Sequence, residues 1–364
     1  MKAAVLYELS TPLQVEEVDL DNPKSKEVRV KITANGVCHS DYSIIHGVIR
    51  SPLPVVPGHE GAGIVEEVGP DVTMVQPGDH VVLSFAPYCG HCYYCAQGSP
   101  VLCVNMRTIM GKGALLDGTC RLSKNGQKIH HAAGLSSYAE YAVVPEIACV
   151  KIPHEVPLDK ACLVGCGVMT GVGAAINTAA VRPGTSAVVI GCGGVGLNVI
   201  QGCALAGASI IIAVDLMDNK LEYAKEFGAT HTVNPARDDL TKTVRSLTDG
   251  RGSDYAFEVI GLGKTIEQAY ACTRQGGSTI VVGAPAREET VTIPAFSLLN
   301  EKKIQGSVYG SSRPHVDMPR LIELYMNNKL KLDELVTRTY SLDEVNDAMT
   351  ALEKGEVARS VVVM

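Results

Sequence analysis

The spacing of apolar residues changes along the chain and predicts two kinds of structure. Up to about residue 160, short apolar or alternating runs are separated by turn signals such as Pro77-Gly78-Asp79. The runs Val28–Ile32, Gly63–Val68 and His80–Leu83 have the length and composition of strands. This part of the chain is therefore predicted to be an all-β, barrel-like unit.

After Thr170 the apolar runs alternate with helical stretches, and two helical stretches with a closing strand end the chain. In order, the predicted elements are strand Ala187–Ile190, helix Val195–Ala206, strand Ile210–Val214, helix Lys220–Phe227, strands Tyr255–Val259 and Thr279–Val282, helices Pro319–Asn327 and Leu342–Lys354, and strand Ser360–Val363. Strands that alternate with helices predict a parallel sheet covered on both faces.

Bulk composition narrows the function. The 364 residues fit two or three domains, and 46% hydrophobic residues are enough for more than one core. The net charge of −7 and the lack of a basic stripe argue against nucleic acid as a partner. Glycines, Asn198 and Gln201 interrupt the most apolar stretch, Ser186–Val214, which predicts a buried strand–turn–helix–strand and no membrane partner.

The twelve cysteines indicate metal binding rather than disulfides. The N-terminus MKAAVLYELS lacks the pattern of a signal peptide, so a reducing, cytoplasmic location is expected. Cys89, Cys92, Cys95 and Cys103 have the spacing C-x2-C-x2-C-x7-C, which predicts a structural zinc site in a lobe over residues 88–104. The alternative, an iron–sulfur cluster, has a shorter last gap and a following proline, where this chain has Val104.

A glycine-rich turn predicts a dinucleotide site. The segment Gly191-Cys192-Gly193-Gly194-Val195-Gly196 matches G-x-G-x-x-G between a predicted strand and a predicted helix, and Asp215 ends the next apolar run. Such a turn lets the backbone and the helix N-terminus approach a pyrophosphate, while the carboxylate accepts hydrogen bonds from the ribose. Because a carboxylate repels a 2′-phosphate, NAD rather than NADP is predicted.

Three further segments, Cys38-His39-Ser40-Asp41, Gly58-His59-Glu60 and Gly165-Cys166-Gly167, cannot be joined by spacing alone. The run that starts at Gly58-His59-Glu60-Gly61-Ala62-Gly63 resembles the signature of zinc-containing medium-chain alcohol dehydrogenases, and the similarity covers essentially the whole chain. Asp117-Gly118-Thr119 and Ile129-His130-His131 are similar to the class I and class III branch. The resemblance implies a GroES-like β-barrel catalytic domain over residues 1–167 and 310–364, and a Rossmann NAD-binding domain, a doubly wound parallel sheet, over residues 168–309.

The resemblance implies a second, catalytic zinc held by Cys38, His59 and Cys166, with one position open for substrate. It also implies that Glu60 approaches the metal transiently and that Asp41 orients the ligand histidine. Zinc would then act as a Lewis acid while hydride passes between substrate and nicotinamide. Ser40 matches the hydroxyl that bonds the alcohol and starts the proton relay.

Further cofactor contacts follow from the same resemblance. Thr170 matches a contact on the nicotinamide side, Lys220 a contact to the adenosine ribose, and Arg359 a contact to the pyrophosphate. His39 stands where several relatives carry an arginine against the pyrophosphate. Ser43 stands where many relatives end the relay in a histidine, so the last proton acceptor is either water or a nearby histidine such as His46.

Two substrate classes remain open, with a small-molecule primary alcohol or aldehyde as the main expectation. Ile49 and Phe85 match apolar pocket positions. Arg107 matches a substrate-carboxylate contact of class III enzymes, which leaves a glutathione- or mycothiol-dependent formaldehyde dehydrogenase as the alternative. A third hypothesis is a non-catalytic, zinc-stabilised dinucleotide-binding protein. A homodimer is expected, with a tetramer as the alternative.

Overall fold

The computed structural model of the protein describes residues 1–355 and 357–364, and all of their side chains except those of residues 107–110. The chain forms two compact units, one made of Met1–Cys166 with Arg313–Met364 and the other of Gly167–Ser312. The first boundary falls one residue before, and the second three residues after, the domain limits expected from the sequence.

Nineteen strands are formed by the described residues. In chain order they are β1 Lys2–Val5, β2 Gln14–Glu17, β3 Asp19–Leu20, β4 Glu27–Gly36, β5 Val55–Val56, β6 Gly61–Val68, β7 His80–Leu83, β8 Leu122–Lys124, β9 Gln127–His131, β10 Tyr141–Pro145, β11 Cys149–Ile152, β12 Ser186–Ile190, β13 Ile210–Val214, β14 His231–Val233, β15 Ser253–Glu258, β16 Thr273–Val281, β17 Lys303–Gly306, β18 Val336–Ser341 and β19 Arg359–Val363.

Eleven α-helices are formed by the same residues, together with short 3₁₀ turns and one π-helical turn at Ala174–Thr178. In chain order they are α1 His39–Ile45, α2 Tyr93–Ala96, α3 Val104–Lys112, α4 Leu158–Ala161, α5 Gly167–Gly173, α6 Gly194–Leu205, α7 Asp218–Glu226, α8 Leu240–Leu247, α9 Gly263–Cys272, α10 Pro314–Met326 and α11 Val345–Glu353.

The first unit is built mainly from short antiparallel strands. Its largest sheet has the order β11-β7-β6-β4-β19-β18, with β10 paired to β4, while β3-β8-β9-β5 and β1-β2 form smaller sheets. The side chains of Val28, Val30 and Ile32 alternate along β4 and enter one core with Val65 and Leu83. The predicted strands of this region are confirmed.

The second unit is a six-stranded sheet in the order β14-β13-β12-β15-β16-β17, in which every pair is parallel. Ser186–Ile190 is buried at every position, as expected for a central strand covered on both faces. The apolar stretch Ser186–Val214 forms β12, α6 and β13, so the predicted strand–turn–helix–strand is confirmed.

Among the described residues, no single helix has both the length and the apolar composition that a membrane crossing needs, although one bent pair, Leu158–Gly165 with Gly167–Thr178, meets both criteria together.

Candidate active site

Four potential metal ligands from three distant segments meet in the first unit. One donor atom from each of Cys38, His59, Glu60 and Cys166 lies within 4.8 Å of the others, and all four residues are buried. Cys38 is the N-cap of α1, His59 and Glu60 precede β6, and Cys166 follows the 3₁₀ turn Cys162–Gly165. The residues that the resemblance joined are therefore brought together by the fold.

The histidine of this cluster is oriented by a buried carboxylate. Oδ1 of Asp41, which is fully buried, accepts hydrogen bonds from Nδ1 of His59 at 2.9 Å and from the backbone N–H of Gly58 at 3.1 Å. With the proton on Nδ1, Nε2 carries a lone pair, and this buried nitrogen has no hydrogen-bond partner in the described part of the chain. An unpartnered imidazole nitrogen beside two thiols is the donor set that zinc prefers.

Glu60, the fourth potential ligand of the cluster, is paired with Arg359. The two side chains form a buried ion pair, and the exposed fraction of the Arg359 side chain is 5%. Arg359 is thus not a solvated surface arginine, and its contact with pyrophosphate stays a prediction. Burial disfavours the charged carboxylate and raises the pKa of Glu60 to about 7 despite this arginine. Gly36 leaves the space that Glu60 occupies, since a Cβ there would overlap the carboxylate.

Contacts within the cluster favour a thiolate at Cys38. A hydrogen bond with Cys166 lowers the pKa of the Cys38 thiol well below its ordinary value, and the nearby His59 adds to this although burial opposes it. Metal ligation needs a deprotonated sulfur.

The four-cysteine lobe forms a second, separate cluster. The sulfurs of Cys89, Cys92, Cys95 and Cys103 lie within 4.8 Å of one another, and only Cys103 is buried. The backbone N–H groups of Cys92 and Cys89 point at the sulfurs of Cys89 and Cys103, at 3.3 and 3.4 Å. Backbone N–H groups of Cys95 and Val104 lower the pKa of Cys92 to about 6. Four sulfurs in this arrangement match a closed tetrahedral site.

The glycine turn of the second unit, Gly191–Gly196, has open space beside its backbone at Gly193, where the pyrophosphate of a dinucleotide would bind. Gly191 has φ +99°, and a Cβ at Gly196 would overlap the Gly191 carbonyl oxygen, so helix and strand pack closely. A Cβ at Gly193 would meet nothing within 4 Å. Asp215 accepts hydrogen bonds from the backbone N–H groups of Cys192, at 2.9 Å, and Met217, at 3.0 Å. The carboxylate is therefore fixed beside the turn, where the residues fit a pyrophosphate and a ribose.

The other residues that are predicted to contact the cofactor lie on the helices α1, α5, α6 and α7. Thr170 is half-buried on α5, and Lys220 is half-buried on α7. Gly194 and Val195 form the first turn of α6. His39 is exposed at the start of α1, with its ring 5.8 Å from that of Tyr42. Their contacts with a cofactor stay predictions.

Of the predicted relay and pocket residues, Ser40 lies close to a metal ligand in sequence and Phe85 in space. Ser40 is half-buried on α1, two residues after Cys38. The ring of Phe85 packs edge-on against His59, with centroids 5.5 Å apart, and Ile49 packs against the core that contains Ile44 and Ile45. The side chain of Arg107 lies outside the described residues.

His46, a candidate proton acceptor, is exposed and lies at the end of α1. Its Nδ1 is 3.1 Å from the hydroxyl of Ser10, and its ring is 4.2 Å from that of Tyr42. The backbone carbonyl of Ser43 accepts a hydrogen bond from the backbone N–H of Ile49, at 3.0 Å. These contacts do not assign the acceptor, which stays a prediction.

Two sets of buried side-chain hydrogen bonds are not among the contacts predicted from the sequence. The hydroxyl of Tyr138 donates to Oδ2 of Asp41 at 3.2 Å from 97 residues away, a separation that leaves no local signal. Glu258 is fully buried at the carboxyl end of β15, and its Oε1 accepts from Ile260, Gly261 and Thr265 at 2.7 to 2.9 Å. A carboxylate that ends a central strand of a parallel sheet was the available signal for Glu258.

Comparisons with known proteins agree with this geometry. The family models described as "Alcohol dehydrogenase GroES-like domain" and "Zinc-binding dehydrogenase" match residues 24–154 and 194–327. An S-(hydroxymethyl)glutathione dehydrogenase of Paracoccus denitrificans is 43% identical over 372 residues, which cover 100% of this chain and 99% of that protein. A class-3 alcohol dehydrogenase of Cereibacter sphaeroides is 44% identical over 375 residues, with the same coverage.

A solved structure shows the same fold over the whole length. The benzyl alcohol dehydrogenase of Acinetobacter calcoaceticus superposes with a TM-score of 0.95 at 37% identity and covers 100% of this chain and 99% of its own. The fold class expected from the sequence, a GroES-like domain with a Rossmann domain, is thereby confirmed. The chain belongs to the zinc-dependent alcohol dehydrogenase family, as an oxidoreductase that uses zinc and NAD.

Proposed function

We propose that the chain oxidises the hydroxymethyl group of the adduct between formaldehyde and a small thiol, with Cys38, His59 and Cys166 as ligands of the catalytic zinc. The observation that carries the catalytic part is the buried cluster in which Nε2 of His59 stands unpartnered beside two thiols. Zinc, when bound there, supplies a Lewis acid that makes a hydroxyl group more acidic. NAD supplies the hydride acceptor.

The chain's own residues set the geometry of the site. Asp41 fixes the ring of His59 so that Nε2 faces the two cysteines, and Tyr138 holds the other oxygen of Asp41. The carboxylate of Glu60, the fourth potential ligand, is held in its ion pair with Arg359. One coordination position of the bound metal would then be open to substrate. Glu60 is assigned to transient contact with the metal during ligand exchange. Ser40 is assigned to hold the substrate hydroxyl and to take its proton toward solvent.

The second unit is assigned to NAD, as the glycine turn and the fixed carboxylate of Asp215 support. Thr170 would contact the nicotinamide side and Lys220 the adenosine ribose. His39 and Arg359 are assigned to the pyrophosphate. In this proposal the catalytic domain corresponds to Met1–Cys166 with Arg313–Met364, and the NAD-binding domain to Gly167–Ser312.

The thiol adduct is preferred because of the names of two curated relatives that match the full length of the chain. The Paracoccus protein, at 43% identity over the full length, is named for S-(hydroxymethyl)glutathione. The segment Val48-Ile49-Arg50 has no acidic residue for the amine of a thiol carrier such as glutathione, which favours a plain primary alcohol or a different thiol carrier. An adduct of mycothiol is therefore proposed beside that of glutathione.

A primary alcohol is the second candidate, and one observation favours it. The solved structure with a TM-score of 0.95 is named a benzyl alcohol dehydrogenase. Phe85, packed against His59, would give such a pocket an aromatic wall.

The experiment is a substrate panel followed by NADH absorbance with zinc-replete protein. Formaldehyde is offered alone, with glutathione, with mycothiol and with a thiol-blocked control, and benzyl alcohol is run in parallel. The proposal expects a kcat/KM for the formaldehyde–thiol mixture well above that for benzyl alcohol, and no reaction once the thiol is blocked. Oxidation of benzyl alcohol with no effect of thiols would instead establish the second candidate.

We also propose that the protein is a homodimer and that it is located in the cytoplasm. β17 is an edge strand of the second sheet, and Phe296 and Leu299 are 76% and 75% exposed shortly before it. Unpaired edges and exposed apolar side chains favour association of subunits. Light scattering of the purified protein separates a dimer from the alternative tetramer and from a monomer.

A further inference from the structure

A basic pocket lies at the amino-terminal edge of the parallel sheet in the second unit. It has a volume of about 720 Å³ and contains the cations Arg245, Arg251, Arg274 and Lys302. It includes the first residues of β16 and Asp254, the second residue of β15. A volume of this size holds a ligand larger than a single ion.

The cations of this pocket outnumber its carboxylates. Arg274 pairs with Asp254 at 2.7 Å, and Arg251 pairs with Asp249 at 3.0 Å. Within the described part of the chain, no ion pair joins Arg245 or Lys302 to a carboxylate. Two positive charges are therefore left without a counter-charge, in a chain whose net charge is −7.

The unpaired cations repel each other. Burial lowers the pKa of Lys302, and the positive charge of Arg245 lowers it further, although Cys272 opposes this. Nζ of Lys302 lies 4.0 Å from the ring centroid of Tyr270 and donates to the backbone carbonyl of the same residue. A carbonyl and an aromatic face orient this ammonium group without neutralising it. An anion in the pocket would offset the repulsion.

The pocket is distinct from the dinucleotide turn. In a parallel sheet all amino ends lie at one edge and all carboxyl ends at the other. Gly191 follows the carboxyl end of β12, whereas Asp254 lies at the start of β15 and Thr273 begins β16. The pocket and the turn are therefore at opposite edges of the sheet, and the proposed NAD site does not account for the pocket.

We propose that this pocket binds a small polyvalent phosphate anion, with Arg245 and Lys302 as its principal contacts. Guanidinium groups bind phosphate oxygens through paired hydrogen bonds, and an ammonium group binds them as a point charge. Asn300 and Gln275 place amide groups in the same lining, which supply neutral donors. Ala271 is the one apolar side chain among these lining residues, so the pocket fits a compact charged ligand better than an apolar one.

The test is a calorimetric titration of inorganic pyrophosphate into zinc-replete protein saturated with NADH, so that the dinucleotide site is filled. Zinc content is measured before and after, because pyrophosphate also binds metals. The variants Arg245→Gln and Lys302→Gln remove the two unpaired charges. Arg287→Gln, an exposed arginine after the carboxyl end of β16, is the matched control. Circular dichroism establishes that each variant is folded.

The expected result is one pyrophosphate per chain, with affinity about 10-fold lower in each pocket variant, since each loses a charge-assisted contact, and unchanged in Arg287→Gln. Added sodium chloride weakens the binding by screening. The absence of saturable binding, or equal affinity in the wild type and both pocket variants, overturns the proposal. NADH binding is followed separately by fluorescence, so that its failure counts against the proposed function and not against the pocket.

Discussion

The two cysteine clusters of the first unit are built in opposite ways. Cys89, Cys92, Cys95 and Cys103 come from one short loop, use one kind of donor, and three of them are partly exposed. Cys38, His59, Glu60 and Cys166 come from segments more than a hundred residues apart at the extremes, mix three kinds of donor, and are all buried. In the four-cysteine loop, the local backbone positions the sulfurs. The second group, Cys38, His59, Glu60 and Cys166, is called the mixed cluster here, and its donors are positioned by the surrounding core.

The difference also lies in what surrounds the donors. Backbone N–H groups within the loop approach its sulfurs, so the lobe needs little from the rest of the chain. In the mixed cluster, Asp41 orients His59 and Arg359 holds Glu60. A site that carries out chemistry needs a vacant position and fixed ligands, and outside residues are required for both.

The largest effect is expected from breaking the mixed cluster. Cys38→Ser should lower kcat/KM by at least about 10³-fold, because the metal supplies several kcal/mol of transition-state stabilisation. Metal analysis should show that the zinc content falls from two ions to one per chain while the lobe stays filled. Cys162→Ser, at a buried thiol outside both clusters, is the control. If the activity of Cys38→Ser were within tenfold of that of the wild type, the assignment of Cys38 as a ligand of the catalytic zinc would be wrong.

Breaking the lobe should cost stability rather than chemistry. Cys95→Ser should remove the lobe zinc and lower Tm by about 5 °C or more, because binding of a structural metal is part of the folding free energy. The folded fraction should keep its kcat. Thermal unfolding is compared with Cys120→Ser, a cysteine outside both clusters. If kcat fell as far as in Cys38→Ser, the contrast between the two clusters would be wrong.

The dependence of the mixed cluster on outside residues can be measured through Asp41. Asp41→Asn should weaken zinc binding at that cluster by about 10- to 100-fold, since the partner that sets the His59 tautomer is altered. Competition with a chelator, read separately for the first and second zinc, gives the two affinities. The exposed Asp21→Asn is the control. Equal loss at both sites would show a general destabilisation instead.

The smallest effect concerns a buried histidine that the fold keeps neutral. Nε2 of His131 accepts from the backbone N–H of Arg121 at 3.0 Å, and burial, with the charge of Arg121, lowers the pKa of His131 to about 3. Below pH ~6.5 the unfolded chain binds a proton there that the folded chain does not, so stability falls as the pH is lowered, by up to about 1.4 kcal/mol per unit.

His131→Asn should flatten that slope, because the amide still accepts the hydrogen bond but does not titrate. The free energy of unfolding is measured in urea between pH 7 and 5. The exposed His231→Asn serves as the reference and should keep the wild-type slope. Parallel slopes in the wild type and in His131→Asn would contradict the assignment of the pH dependence to this residue.

Much of the fold was predictable because its signals are local. The predicted strands at His80–Leu83 and Ile210–Val214 have the same limits in the structure. The helix predicted from Pro319 begins five residues earlier, at Pro314, because proline is tolerated in the first turn and Pro314 starts the helix. The sequence predicts a start at the interior Pro319 because any proline favours the first turn of a helix.

The sequence by itself determined the four-cysteine lobe and the glycine turn, because their residues are near one another along the chain and closing a short loop costs little chain entropy. It also supplied the donors of the mixed cluster, but only a resemblance joined them. The tertiary structure alone decided that Arg359 pairs with Glu60, that Tyr138 supports Asp41, and that four cations surround one pocket. Contacts between residues separated by tens to hundreds of positions exist only once strand pairing and core packing have brought them together, and no local pattern records them.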